Sequence, residues 1–298
     1  MASKIEIYRD LENQIQTQVD SGNYNLVVFQ LTTQLLRLNP EYYTIWNIRR
    51  GCLLYTILSR SKDQPASNAQ DGRSDEEKQD SDESSLHSEL SFAMPLLIKS
   101  PKCYWIWNYR WWILSQTIRR LSVQAACTIW EVELGLTSKM LDRDQRNFHA
   151  WGYRRAELQR RGGEPAFLGQ ELDTVREGLN LGPEDQSLWY YHQFLMLEII
   201  QDGDRDNIAP ALTVSARVAY MKHEIYEIKD LLEDYINVKW IYQALLEYTL
   251  SLRRLEKRSR GDNDDAGNLR AWLEKLVALD PTPRGRWNDF DREIGEMG

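Results

Sequence analysis

The chain has 298 residues, and its 37 basic against 45 acidic side chains give a formal charge of −8, a balance that leaves no basic face for a nucleic-acid backbone. With 42% apolar residues it can build a sizeable core, so wholesale disorder is excluded, and no apolar run approaches the roughly 18 residues of a membrane helix. Cys52, Cys103 and Cys127 are scattered with no CxxC pair, which supports neither a disulfide framework nor a zinc site and fits a reducing compartment. The opening MASKIEIYRDLENQ is charged from the start and does not read as a signal peptide. A soluble, cytoplasmic chain is expected.

Taken in chain order, the apolar periodicity is helical throughout. Leu26, Phe29, Leu31, Leu35, Leu36 and Leu38 recur at helical spacing, as do Ile225, Ile228, Leu231, Leu232, Tyr235 and Ile236 and, further on, Leu245, Leu246, Leu250, Leu252 and Leu255. No alternating run bounded by hairpin turns is found, and the prolines read as falling between the periodic stretches. Helices are expected at about 4–20, 23–38, 42–59, 90–99, 103–119, 122–141, 147–161, 165–180, 186–201, 210–232, 235–258 and 266–279, with a shorter one closing the chain. Between the third and fourth lies SKDQPASNAQDGRSDEEKQDSDESSLHSELS, residues 61–91, with nine acids, three bases and only Ala66 and Ala69 apolar before Leu86. Such a segment buries too little to offset its ordering entropy. It reads as a disordered acidic insertion, at about 61–88, in an otherwise single helical-repeat domain covering 1–298.

Four of the eleven tryptophans share one setting: NPEYYTIWNIRR, SPKCYWIWNYRWWIL, DQRNFHAWGYRRAEL and GPEDQSLWYYHQFLM. Aligning Trp46, Trp107, Trp151 and Trp189 puts a turn-forming residue six or seven places upstream. It puts Arg49, Arg110 and Arg154 three places downstream, with His192 in the fourth case. Positions i and i+3 share a helix face. The simplest reading is structural, with the ring filling the groove between stacked hairpins and the cation bonding to backbone or acid there. The spacings of 61, 44 and 38 residues, the first enlarged by the insertion, are those of helical-hairpin arrays.

The recurring N/D-P-x-x-Y-x-x-W-N-x-R pattern resembles the α subunit of protein prenyltransferases, over about residues 24–290. Within that family DQRNFHAWGYRR and DQSLWYYHQFLM look most like the Rab geranylgeranyltransferase (type II) α subunit, and LLEDYINVKWIYQALLEYTL and LDPTPRGRW look like its fungal form. The resemblance implies an all-α fold, a right-handed superhelix (crescent) of stacked antiparallel helical hairpins. It also implies a β subunit that carries the zinc and the isoprenoid cavity, with no cofactor in this chain. His87, His149, His192 and His223 are scattered and show no HExxH. The implied reaction moves geranylgeranyl from geranylgeranyl diphosphate to C-terminal cysteines of a Rab GTPase presented by an escort protein. Competing readings are the α subunit shared by farnesyltransferase and type I geranylgeranyltransferase, whose repeats favour Trp-x-His-Arg, and a non-catalytic helical-repeat scaffold.

In the family, the repeat at Trp107 carries Pro-Lys-x-Tyr, matched here by Pro101, Lys102, Cys103 and Tyr104. A Lys ammonium and a phenolic hydroxyl can stabilise the charge that gathers on a leaving diphosphate. The same residues read equally as a solvent-facing Lys and a packed Tyr at a helix start. The repeat at Trp151 offers Asn147, Phe148 and His149, which the resemblance places near the active-site mouth. His149 reads either as a donor to phosphate or peptide or as a loop-packing residue, and His192 as structural. Two features depart from the family pattern. The basic N-terminal tail is absent, and one Asn-x-Ser-x-Trp-His-x-Arg repeat is missing between Trp151 and Trp189. There the sequence reads as the first helix of one hairpin, 147–161, joined in phase to the second helix of a later one, 165–180, through Gly162 and Gly163. A crescent shorter by about one repeat is expected.

Overall fold

A computed structural model of the chain describes residues 4–58, 74–161, 165–200, 212–256 and 266–297. Among them are thirteen α-helices and no strand. They form two compact units, 1–142 and 143–298. The first unit contains α1 (Lys4–Asp20), α2 (Leu26–Leu38), α3 (Tyr43–Cys52), α4 (Asp75–Lys99), α5 (Tyr104–Arg120) and nearly all of α6 (Val123–Arg143); α3 runs into one π-helical turn, Leu53–Ile57. The second contains α7 (Phe148–Arg161), α8 (Pro165–Leu181), α9 (Gln186–Ile200), α10 (Val214–Asp234), α11 (Lys239–Leu255), α12 (Ala266–Leu279) and α13 (Arg284–Met297).

Within each unit, turns of a few residues join α1 to α2, α2 to α3, α4 to α5, α5 to α6, α8 to α9, α10 to α11 and α12 to α13. Gly22 takes φ +75° after α1, the left-handed conformation that costs glycine nothing, and its N–H returns to the Val19 carbonyl. Asn25 then caps α2, its side chain accepting from the N–H groups of Val27 and Val28. Close helix approach also depends on Gly178: a Cβ there would lie 2.8 Å from a Leu188 methyl, so α8 meets α9 through a missing side chain. The helices differ in how much they bury: α1 buries only Leu11 and Ile15, whereas α11 is covered on most sides, with Ile241, Leu245, Tyr248 and Leu252 on one face and Leu246 and Leu250 on another.

Three expectations change. The acidic insertion does not extend to residue 88, because α4 begins at Asp75; residues 59–73, and the Gly162–Gly163 turn, lie outside the described residues. Local chemistry explains the longer helix. Ser74 and Glu77 form a reciprocal capping box, and Asp75, Glu76 and Glu77 sit at the positive end of the helix dipole. Leu86, Leu90, Ala93 and Leu97 then bury one face, and the buried Asp82 pairs with Arg120 at 3.4 Å. Secondly, Pro95 stands inside α4 rather than between helices. It is on the exposed side, where the carbonyl that loses its partner can be solvated. The third change lies at the end of α3, where the regular helix stops at Cys52 and gives way to the π turn. The joined hairpin has boundaries close to those expected, with Leu158, Leu168, Leu172 and Val175 all buried.

Candidate functional site

The repeat has a common internal geometry. In each case the indole N–H of the tryptophan donates to the carbonyl six residues upstream: Trp46 to Pro40 at 2.8 Å, Trp107 to Pro101 at 2.9 Å, Trp151 to Gln145 at 2.8 Å and Trp189 to Pro183 at 2.6 Å. The tryptophan thereby fastens its helix to the turn that starts it. A fifth instance uses a hydroxyl, Tyr242 donating to the Ile236 carbonyl at 2.8 Å; replacement of Trp by Tyr hid it from the alignment of tryptophans.

The cation three residues later reaches the next helix. Arg49 makes a bidentate pair with Glu89 of α4, at 2.6 and 2.7 Å, and Arg154 does the same with Glu171 of α8, at 2.7 and 2.6 Å. Arg110 pairs with Glu133 of α6 and also donates to the Leu90 carbonyl at 2.7 Å. A third helix joins two of these pairs: the hydroxyls of Tyr109 and Tyr191 donate to Glu89 and Glu171 at 2.5 and 2.6 Å. Burial pushes both phenols well above their usual ionisation range, and the neighbouring carboxylate adds to the push. His192 occupies the equivalent place in the fourth repeat, between Glu224 at 3.0 Å and the Tyr248 hydroxyl at 2.9 Å. All these partners are buried. The four glutamates escaped sequence reading because they follow their partners at irregular distances; the tyrosines two places after Trp107 and Trp189 were visible signals.

The candidate ligand residues lie at helix starts. Lys102 and Tyr104 are exposed, Tyr104 by 51%, at the beginning of α5. The residue before α5, Cys103, makes no side-chain cap bond; its thiol instead donates to the Pro40 carbonyl at 3.5 Å. Around Tyr104 gather Trp105, edge-on at 5.0 Å between ring centroids, and Tyr43 of α3, 5.3 Å from Trp105. Asn108 donates from Nδ2 to the Tyr104 hydroxyl at 3.4 Å, and its Oδ1 accepts from Arg50 of α3 at 2.6 Å. Sequence reading held Asn108 only as the Asn of the W-N-x-R pattern and gave Arg50 no role.

Asn147 and His149 belong to the other unit, at the start of α7. Asn147 is fully buried and its Oδ1 accepts from the Ala150 N–H at 3.3 Å. It caps α7 through that oxygen. His149 is half-buried, its ring centroid 4.0 Å from that of the exposed Phe148. Among the described residues no group of three or more His, Cys, Asp and Glu side chains is placed to hold a metal, and no helix is long and apolar enough to cross a membrane.

The comparisons with known proteins fall on this geometry. Residues 28–56, 86–117, 130–156 and 168–199 match the protein prenyltransferase alpha subunit repeat, one match around each of the four tryptophans. A Candida albicans protein named geranylgeranyl transferase type-2 subunit alpha is 40% identical over 152 residues, which span 51% of this chain and 36% of that protein. Proteins of the same name from Schizosaccharomyces pombe and Saccharomyces cerevisiae are each 27% identical, over 99% and 93% of this chain and 93% and 80% of their own lengths. With a fastened tryptophan in every matched repeat and an arginine–glutamate pair in three of the four, the chain belongs to the family of protein prenyltransferase α subunits.

Proposed function

We propose that this chain is the α subunit of a cytoplasmic, heterodimeric protein geranylgeranyltransferase. The complex transfers geranylgeranyl from geranylgeranyl diphosphate to C-terminal cysteines of Rab GTPases brought by an escort protein. The four repeats and the names of the fungal relatives support this reading. The β subunit supplies the zinc, which holds the acceptor cysteine as thiolate. Sulfur bonds to the first carbon of the isoprenoid as the carbon–oxygen bond breaks, and the diphosphate leaves with the electron pair.

The part of this chain is to receive that charge. The observation that carries the proposal is the exposed Lys102–Tyr104 pair at the start of α5, a helix whose preceding residue lends no capping side chain. An ammonium, a phenolic donor and the positive end of a helix dipole are then offered to one anion. In α7, by contrast, Asn147 already occupies a first-turn N–H. His149, beside exposed Phe148, is a secondary donor in the same reading.

The test is co-expression with a β subunit of the same family. The complex is expected to prenylate a Rab with its escort and not a protein ending in a CaaX sequence. Lys102→Ala should slow single-turnover transfer by about 10²–10³, the usual loss for one positioned donor, with the heterodimer intact. A complex that prefers the CaaX acceptor, or that is indifferent to Lys102→Ala and Tyr104→Phe together, overturns the respective part.

A further inference from the structure

We infer that Arg50 and Asn108 are positioning residues for Tyr104: they fix the direction in which its hydroxyl donates. The inference rests on the proposed role of Tyr104 at the diphosphate. Tyr104 and Asn108 lie four residues apart on one face of α5, and Arg50 comes from the neighbouring α3. Arg50 donates from Nη2 to Asn108 Oδ1 at 2.6 Å and from Nη1 to Asn47 Oδ1 at 2.8 Å. Its guanidinium carbon is 5.7 Å from the ring centroid of Tyr109 and 5.6 Å from that of Trp112, so the group is held by aromatic faces as well as by amides.

The chemistry of the donors decides the rest. A guanidinium has five N–H donors and no acceptor, so the Asn108 amide must turn its oxygen to Arg50. Its Nδ2 then faces Tyr104, and the only bond of correct sign is from Nδ2 to the Tyr104 oxygen, where the separation is 3.4 Å. The phenol oxygen therefore accepts from Asn108, and its own hydrogen is turned away from that amide. The reverse amide orientation would set donor against donor at Arg50 and would draw the phenol hydrogen inward. A cation on α3 thus selects the rotamer of an amide on α5, and the amide selects the role of the tyrosine. A donor aimed before the reaction needs no reorientation when the leaving charge develops.

The experiment uses the α chain co-expressed with its β subunit, and reads single-turnover transfer together with inhibition by inorganic pyrophosphate. Asn108→Asp offers acceptors to both neighbours and should capture the phenol hydrogen. It is expected to slow transfer about as much as Tyr104→Phe, roughly 10²–10³-fold, and to weaken pyrophosphate inhibition. The double variant should be no slower than either single one, because the two changes remove the same donor. Arg50→Lys keeps a donor on Asn108 Oδ1 and should stay near the wild-type rate, whereas Arg50→Met frees the amide and should be slow with an unchanged melting temperature. Multiplicative losses in the double variant, or wild-type rates for Asn108→Asp and Arg50→Met beside a slow Tyr104→Phe, overturn the inference alone. A wild-type complex that transfers no lipid, or a fast Tyr104→Phe, overturns the reading beneath it as well.

Discussion

The linkage centred on Glu89 in the first unit and that centred on Glu171 in the second are built alike, although the chain reaches them differently. Arg49 and Glu89 are 40 residues apart, on either side of the acidic segment, whereas Arg154 and Glu171 are 17 apart on the successive helices α7 and α8. Both end in a bidentate pair with a tyrosine from the following helix on the same carboxylate. The accompanying tilted Trp–Tyr ring pairs also match, Trp46–Tyr109 at 4.6 Å and Trp151–Tyr191 at 4.5 Å. The lesson is that helix phase, not connecting length, defines a repeat. Loop closure costs grow only slowly with length, so an insertion or a deletion between helices leaves the pairing intact when the faces remain in register. The linkage at Glu224 differs in kind: His192 gives it one bond where an arginine gives two, and Arg176 lies 3.3 Å from the other carboxylate oxygen.

The largest way to break this likeness is to remove one buried charge. Arg49→Ala and Arg154→Ala should each destabilise their unit by about 3–5 kcal/mol, since the glutamate is left buried and unpaired. His192→Ala is expected to cost less, about 1.5–3 kcal/mol for its hydrogen bonds to charged or buried partners. Urea unfolding of the three variants checks the order, and equal losses would make the histidine linkage equivalent to the arginine ones.

A smaller effect sharpens the tyrosine half of the comparison. Tyr109→Phe and Tyr191→Phe should each cost about 1.5–3 kcal/mol, the value of a bond to a charged group. The pH dependence has a definite sign. Both phenols are held well above their ordinary ionisation, so the folded chain keeps protons that the unfolded chain gives up from about pH 10. Their contribution is complete below that pH and is lost as pH rises through the folded value. Urea midpoints between pH 8 and 11 should fall more steeply for the wild type than for either Phe variant, and parallel curves would count against the assignment.

The smallest expected effect concerns the helix that carries Glu89. Ser74→Ala removes the side chain that accepts from the Glu77 N–H and should cost about 0.5–2 kcal/mol. Amide exchange in the first turns of α4 should quicken while Glu89 and its partners stay protected. Unchanged exchange at residues 75–80 would mean that the capping box contributes nothing to that end.

The sequence by itself determined the helical class, most helix boundaries and the four tryptophan repeats, because each depends on contacts within a few residues. Apolar side chains recur at the helical period, and an indole six places after a turn reaches that turn's carbonyl within one local loop. It also singled out Lys102 and Tyr104 through the Pro-Lys-x-Tyr match, although the exposure of Tyr104 was settled by packing. It misjudged residues 75–88, where composition suggested disorder and capping together with the burial of Leu86 favoured a helix. Which glutamate each arginine meets and how Arg50 turns Asn108 were decided only by tertiary packing. Those partners come from different helices or from burial, and a one-dimensional spacing carries no record of which faces will close on one another.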